Sequence, residues 1–151
     1  MKYSIDTSVL IEAWVRHYPQ DVFPAVWEHF EHGIAHEKLL AIVEVYRELE
    51  EHGDALFDWA KKRKKKFVDL RGPIQDRARR ILVDFPALAK ADRTRRDADP
   101  FVIALAWEHN LTVVTYESFR PTKPRIPDVC RALKIPCITL VELFRQEGWK
   151  F

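Results

Sequence analysis

The chain has 151 residues, of which 47% are hydrophobic and 32% are charged, so it is long enough for one domain with its own core and too apolar to be disordered. Residues 1–60 contain 4 basic and 12 acidic residues, whereas residues 61–80 contain 10 basic and 2 acidic residues. This separation of charge predicts an acidic site and a basic, anion-binding surface within a single domain over residues 1–151.

The sequence predicts neither a membrane span nor export. The longest apolar run, Phe101–Trp107, is far shorter than the roughly 20 residues that cross a bilayer. Asp6 interrupts the N-terminal stretch in which a secretion signal needs apolar residues. Cys130 and Cys137 have no second pair and are expected to be reduced thiols. We therefore expect a cytoplasmic protein.

Hydrophobic spacing predicts strands that alternate with helices along the chain. The strands are predicted at Lys2–Ile5, Leu39–Val43, Leu111–Thr115 and Ile135–Leu140. The helices are predicted after Asp6, over Asp21–Glu31 with an end at Gly33, from Val45 to Gly53, and over Ala55–Leu70, Pro73–Phe85, Asp99–Glu108, Val129–Leu133 and Val141–Glu147. Asp54 is predicted to be the N-cap of the helix that begins at Ala55. Because no hairpin signal separates the strands, the pattern predicts an α/β fold with a parallel sheet.

Several enzyme classes are excluded by the residues that the chain lacks. Its four glycines, Gly33, Gly53, Gly72 and Gly148, cannot form the glycine-rich loops that bind dinucleotides or nucleotide phosphates. The chain also has no G-x-S-x-G segment for a serine hydrolase. Carboxylates remain as the side chains with the clearest catalytic potential.

Acidic residues stand where predicted strands end and a helix begins. Asp6 follows the first strand, Glu117 follows the third strand, and Asp99 begins a helix. Since parallel strands share one carboxyl edge, Asp6 and Glu117 are expected to meet there. Converging carboxylates repel one another, and a divalent cation relieves that repulsion. Oxygen ligands favour Mg²⁺ or Mn²⁺ over zinc.

Four short segments that each contain an acidic residue, followed by a fifth segment, form a pattern of motifs along the chain. They are IDTSVLI at Ile5–Ile11, VYREL at Val45–Leu49, DPFVIALA at Asp99–Ala106, VVTYE at Val113–Glu117, and IPDVC at Ile126–Cys130. In order and spacing they resemble the motifs of PIN-domain nucleases, specifically an uncharacterised bacterial subgroup related to VapC-type toxins. The resemblance covers nearly the whole chain and implies a three-layer α/β/α sandwich with a mostly parallel central sheet.

The resemblance also implies an active site. Asp6, Glu48 and Asp99 would hold Mg²⁺ or Mn²⁺, and Glu117 would be the fourth acid, where the family usually has Asp or Asn. The hydroxyl groups of Thr7 and Ser8 would orient Asp6 or a bound water. The expected reaction is hydrolysis of RNA that leaves a 5′ phosphate and a 3′ hydroxyl. The expected role is that of a toxin with a cognate antitoxin, and the expected assembly is a homodimer.

Two assignments stay open at this point. Glu44 lies four residues before Glu48 on the same helical face, so either could be the second acid. Asp97 is a further candidate ligand next to Asp99, and Asp97 or Glu117 would position or deprotonate the attacking water.

Six consecutive basic residues form the strongest charge feature. They are Lys61, Lys62, Arg63, Lys64, Lys65 and Lys66. Six successive helical residues point around the whole axis, so this turn is expected to project into solvent, either as a phosphate-binding surface or as a solubilising arm. Arg93, Arg95 and Arg96, just before Asp99, could hold a phosphate near the metal.

Each candidate also has a structural interpretation. Asp6 and Asp99 could each cap a helix, and Glu44 and Glu48 could be ordinary solvated charges, so the functional hypothesis depends on their joint placement. His29, His32 and His36 are interpreted as surface residues rather than metal ligands. The competing hypotheses are a non-catalytic nucleic-acid-binding module of the same fold and a protein-interaction subunit.

Overall fold

The computed structural model describes residues 1–88, 97–116 and 125–151. The strands are β1 (Tyr3–Ile5), β2 (Leu39–Leu40), β3 (Thr112–Val114) and β4 (Cys137–Ile138). The helices are α1 (Thr7–Glu12), α2 (Pro24–Ala35), α3 (Val43–His52), α4 (Ala55–Lys61), α5 (Gly72–Asp84), α6 (Asp99–His109), α7 (Ile126–Ala132) and α8 (Leu140–Glu147). A π-helical turn at Ala13–His17 continues α1, and short 3₁₀ turns cover Lys64–Lys66 and Pro86–Leu88.

The four strands form one parallel sheet in the order β2-β1-β3-β4. Tyr3 pairs with Leu39 on one side and with Thr112 on the other, and Val113 pairs with Cys137. The predicted α/β fold is confirmed: the chain is a three-layer α/β/α sandwich around an all-parallel sheet. The strand order reverses direction between β1 and β3, and such a switch point opens a crevice at the carboxyl ends of the strands.

Connections between parallel strands determine which residues lie at each end of the sheet. Each crossover helix runs antiparallel to the strand that follows it, so helices begin near the carboxyl edge and end near the amino edge. α6 ends at His109 and is capped by Asn110, which has the left-handed conformation with φ 54°; β3 follows at Thr112. The start of α6 therefore lies toward the carboxyl edge, and the end of α2, which leads into β2, lies toward the amino edge.

The core includes the contact of α6 with β1 and α5. Val102, Ile103, Ala104 and Leu105 are buried, as the unbroken apolar sequence of α6 requires of a helix that is covered on all sides. The buried hydroxyl of Ser4 in β1 donates to the Val102 carbonyl oxygen at 2.9 Å. This bond links the middle of β1 to α6 one helical turn after Asp99.

The helix predicted over Ala55–Leu70 is wrong beyond Lys61, where α4 ends. The following chain instead pairs with the segment after β2. The Val68 N–H donates to the Ala41 carbonyl oxygen, and the Val43 N–H donates to the Val68 carbonyl oxygen, both at 2.8 Å. Sheet-like pairing of a short apolar segment has thus overridden helical spacing. The predicted N-cap of this helix is confirmed, since the Asp54 carboxylate accepts a hydrogen bond from the Phe57 N–H.

The prediction that Gly33 ends the second helix is also wrong, because α2 continues to Ala35. A Cβ atom at position 33 would lie 2.7 Å from Leu39 Cγ. Gly33 therefore permits close packing of β2 against α2 and does not terminate the helix. None of the helices in the described ranges is long and apolar enough to cross a membrane.

Candidate functional site

Three carboxylates meet at the start of α6. Glu48, Asp97 and Asp99 each place one carboxylate oxygen so that these atoms lie within 4.8 Å of one another. All three residues are partly buried. Glu48 comes from α3, whereas Asp97 and Asp99 come from the chain entering α6, so the group depends on the packing of two helices that are distant in sequence.

Backbone N–H groups hold two of these carboxylates. Glu48 Oε1 accepts a hydrogen bond from the Ala98 N–H at 2.6 Å, and Asp97 Oδ1 accepts one from the Asp99 N–H at 3.1 Å. The first N–H groups of a helix have no partner within the helix, and its dipole favours negative charge there. The carboxylates are therefore positioned by the helix start, whose N–H groups also offset part of their mutual repulsion.

The interpretation of Asp99 as an N-cap is wrong. Ala98 occupies the N-cap position and Asp99 is the first helical residue, followed by Pro100. The side chain that accepts the N–H bond within this turn belongs to Asp97. Asp99 thus lies in the first turn of α6. The N–H groups of Ala98 and Asp99 at this helix start already donate to Glu48 and Asp97.

Asp6 lies directly after β1 at the carboxyl edge and is almost fully buried. Its N–H donates to the Val114 carbonyl oxygen at 3.0 Å, so it extends the pairing of β1 with β3. Two hydroxyl groups donate to the same carboxylate oxygen, Oδ2: Ser8 Oγ at 2.5 Å and Thr115 Oγ1 at 2.8 Å. The Tyr116 N–H in turn donates to Ser8 Oγ at 3.1 Å. Asp6 is therefore held by hydroxyl groups from both sides of the switch point.

Asp6 occupies the N-cap position of α1, but its side chain makes no capping hydrogen bond. It is also not a member of the three-carboxylate group defined by the 4.8 Å distance. The carboxyl edge of the described chain thus has two parts: the group Glu48, Asp97 and Asp99, and the Asp6 carboxylate with its hydroxyl donors. Both lie at ends of elements joined by the Ser4–Val102 hydrogen bond.

The remaining predicted acids and hydroxyls lie elsewhere or outside the described residues. Glu44 is buried and forms an ion pair with Arg47 at 2.6 Å, so it is Glu48 that joins Asp97 and Asp99. The Thr7 hydroxyl is buried and has no hydrogen-bond partner in the described part of the chain. The predictions for Glu117, Arg93, Arg95 and Arg96 fall outside the described residues.

Thr115 was missed by sequence reasoning. The signal that could have identified it is its position. Thr115 carries a hydroxyl group and directly follows β3, which neighbours β1, so it lies at the same edge of the sheet as Asp6. Next to it, the Tyr116 ring stacks on His17 with 5.4 Å between ring centroids and 10° between planes. Burial raises the pKa of Tyr116 to about 12, with Tyr18 and Glu12 adding smaller contributions, so its hydroxyl stays protonated at neutral pH.

The basic segment Lys61–Lys66, named here the basic turn, lies away from these carboxylates. The prediction that all its side chains project into solvent is wrong for Arg63, whose side chain is 15% exposed and pairs with Glu31 at 2.7 Å. The five lysines are exposed. Lys66 lies 3.8 Å from Glu37, which precedes β2, so the basic turn borders the amino edge of the sheet.

The histidines do not form a metal site in the described residues. His32 and His36 are exposed, with ring centroids 4.0 Å apart, and His29 stacks on Trp149 at 4.6 Å. The only group of three or more possible metal-binding side chains in residues 1–88, 97–116 and 125–151 is the carboxylate group at α6.

Residues 3–151 match the model of a family described as a domain of unknown function, DUF4411. The chain belongs to this family. A solved structure that it resembles is the crystal structure of PAE2754 from Pyrobaculum aerophilum, with 20% sequence identity over 99% of this chain and 97% of that chain and a TM-score of 0.50. At this identity the likeness establishes the fold alone. No curated protein matches the chain.

Proposed function

We propose that this DUF4411 protein is a PIN-like, Mg²⁺- or Mn²⁺-dependent endoribonuclease. The observation that carries the proposal is the convergence of Glu48, Asp97 and Asp99 at the start of α6, toward the carboxyl edge where Asp6 also lies. In parallel α/β folds this edge is the usual place for a binding site. The toxin role, the cognate antitoxin and the homodimer rest on the sequence resemblance and are proposed with it.

The donor set fits a hard divalent cation. All three ligand candidates are carboxylates, without the histidine or cysteine that zinc sites favour, and their spacing lets one ion contact all three. Partial burial leaves access for an anionic substrate. When bound, Mg²⁺ or Mn²⁺ supplies positive charge that acidifies an attacking water and offsets the charge of the phosphate.

The chain's own residues provide the positioning. The Ala98 N–H holds Glu48, and the Asp99 N–H holds Asp97, so both carboxylates are fixed before a substrate arrives. Asp99 adds a third negative charge at the same helix start. Such preorganisation avoids the reorganisation that mobile acids would need during the reaction.

Asp6 extends this arrangement to the strand end. The hydroxyl groups of Ser8 and Thr115 both donate to Oδ2 and so orient the carboxylate. A carboxylate held at this edge can accept a proton from, or orient, a water that attacks a phosphodiester.

The decisive test compares RNA cleavage by the wild type, Asp99→Asn and Asp6→Asn, with and without Mn²⁺. Each substitution keeps the side-chain size but removes a charge, and we expect activity to fall at least about 100-fold. Asp76→Asn is the matched control, because Asp76 is an exposed acid in an ion pair with Arg79 on α5. Gel analysis of a labelled RNA measures the rate, and melting curves check folding.

A second readout separates metal binding from activity. Mn²⁺ should raise the melting temperature of the wild type in a concentration-dependent way and raise that of Glu48→Gln much less. Full cleavage by Asp99→Asn and Asp6→Asn would contradict the proposal. RNA binding without metal-dependent cutting by the folded wild type would instead favour the non-catalytic nucleic-acid-binding module.

A further inference from the structure

The basic turn presents a compact set of exposed positive charges. Lys61, Lys62, Lys64, Lys65 and Lys66 are all exposed. Within the described part of the chain, Lys66 alone among them has a carboxylate within 4.0 Å, that of Glu37. Four closely spaced lysines therefore have no ion-pair partner among the described residues, which is an unusually concentrated charge for a solvent-exposed turn.

Arg63 attaches the basic turn to the fold. One guanidinium nitrogen donates to the Trp59 carbonyl oxygen at 2.6 Å, another pairs with Glu31 of α2 at 2.7 Å, and the guanidinium lies 4.2 Å from the Trp59 ring centroid. Pairing of Val68 with Ala41 fixes the chain on the other side. The backbone of the turn is thus held at both ends while its lysine side chains stay exposed, with the Lys64 ammonium 5.8 Å from the Tyr46 ring centroid. A solubilising arm would need no such attachment.

The basic turn and the carboxylates lie toward opposite edges of the sheet. The Lys66 side chain lies beside Glu37, which precedes β2, whereas the register Ser4↔Leu40 places Asp6 level with Ile42, which follows β2. The bridge between Ile42 and Val68 places the backbone of Lys66 two residues before that level, about 7 Å along the strand direction. From there the Lys66 side chain extends toward the amino edge and away from Asp6.

The surface chemistry favours a nucleic-acid backbone over a protein partner. The aromatic residues nearest the turn, Tyr46, Trp59 and Phe67, are 6%, 6% and 7% exposed and offer no apolar anchor. Protein interfaces depend on such anchors, and their cores are depleted in lysine. A groove of about 590 Å³ lies between the turn and the end of α2, lined by the six basic residues of the turn together with Glu31, Ile34 and Ala35. Regularly spaced phosphates suit these lysine charges.

We propose that the basic turn binds the phosphodiester backbone of RNA at a distance from the bond that is cut. The identity of the cut RNA rests on the proposed nuclease function, but binding by the turn does not. The turn then acts on the affinity for long RNA and not on the chemical step. A substrate too short to reach the amino edge gains nothing from it.

The test measures binding of a labelled RNA of about 20 nucleotides in EDTA, so no cleavage occurs and no metal is needed. Four to five lysine contacts predict a slope of about −3 for log affinity against log salt, a loss of about 60-fold between 50 and 200 mM salt. Lys64→Gln with Lys65→Gln should reduce this slope by about 1.4, and exchange of all five lysines should nearly abolish it.

The matched control is Arg79→Gln with Arg80→Gln, which removes two exposed charges that are paired with Asp76 and Asp84 on α5. We expect its salt slope to equal that of the wild type. An equal loss in the control would show non-specific charge attraction and overturn the proposal. So would unchanged RNA binding by the folded five-lysine variant, or wild-type affinity for a polyglutamate peptide that exceeds its affinity for RNA.

Two further experiments identify the ligand of the basic turn and its role in cleavage. A DNA of the same sequence should bind with a similar slope, because lysines contact backbone charge; a lysine effect confined to RNA would contradict backbone recognition. If the wild type cleaves RNA, the five-lysine variant should raise KM for the long RNA and leave kcat/KM for a short RNA of two or three nucleotides unchanged. Absence of cleavage would refute the nuclease proposal while leaving the binding result intact.

Discussion

The carboxyl and amino edges of the sheet carry opposite charges that are assembled in different ways. At the carboxyl edge, Asp6, Glu48, Asp97, Asp99 and Thr115 come from segments spread over more than a hundred residues. Hydrogen bonds hold the side chains of Asp6, Glu48, Asp97 and Thr115. At the amino edge, the charge comes from six consecutive residues whose lysines extend into solvent.

Because of this difference, the two edges suit different functions. Side chains held by N–H and hydroxyl donors suit chemistry, which depends on distances of a few tenths of an ångström. Extended lysines suit long-range attraction, which tolerates imprecise geometry but weakens with salt. Substitutions at the two edges should therefore have different signatures: loss of rate at the carboxyl edge and loss of salt-dependent affinity at the amino edge.

The largest expected effect after loss of an acid comes from Thr115→Val, which removes a donor to Asp6 but keeps the side-chain shape. Groups that orient a catalytic or metal-binding side chain typically contribute about 10- to 100-fold, and we expect cleavage to fall by that factor. Thr115→Ser restores the hydroxyl and should recover most of the rate. Equal activity of the Val and Ser variants would show that the hydroxyl bond is structural only.

Arg63→Met should lower the free energy of unfolding by about 1–3 kcal/mol, because it leaves the Trp59 carbonyl oxygen and Glu31 without their partner. Lys64→Met, one residue away and exposed, should change it by no more than about 0.5 kcal/mol. Urea denaturation of both variants makes the comparison. Similar stability would mean that the amino edge is held by backbone pairing alone.

A smaller, pH-dependent effect on stability tests whether hydrogen bonds also hold an acidic side chain at the amino edge. Burial alone would raise the pKa of Glu147, but hydrogen bonds from Lys38 and Tyr3 and the charge of Lys38 outweigh it and keep that pKa below 4.5. The charged form is thus more stable in the folded state. Its contribution is present above the unfolded pKa and disappears as pH falls through the folded value.

Glu147→Gln should therefore lower the free energy of unfolding at pH 7 by about 1 kcal/mol, and the difference from the wild type should shrink below about pH 4. Denaturant titrations at several pH values measure both. A difference that stays constant from pH 7 to pH 3 would show that shape, and not charge, explains the loss.

Local patterns predicted the fold well. The strand–helix alternation gave the α/β class, and Asp54 gave a helix start that is confirmed. The errors arose where tertiary contacts overrode local signals. Gly33 lies within α2 because Leu39 approaches it, and Phe67–Val68 leaves the predicted helix to pair beside β2.

The candidate site was predictable in part. The strand-end rule identified Asp6, and the helix start identified Asp99 with Asp97 beside it. The resemblance favoured Glu48 over Glu44, which lies on the same helical face, and the packing of α3 against the start of α6 places Glu48 beside Asp97, whereas Glu44 pairs with Arg47. Thr115 could be found only once β3 was known to neighbour β1.

The pairing of β1 with β3 also determines when the hydrogen bonds of Asp6 can form during translation. Asp6 is made early, but Thr115, which donates to it, follows 109 residues later. At about 5–20 residues per second, a ribosome needs roughly 5–20 s to cover that interval. Until then β1 has no partner on its β3 side, so the Asp6 arrangement cannot form on a nascent chain before most of the protein has been translated.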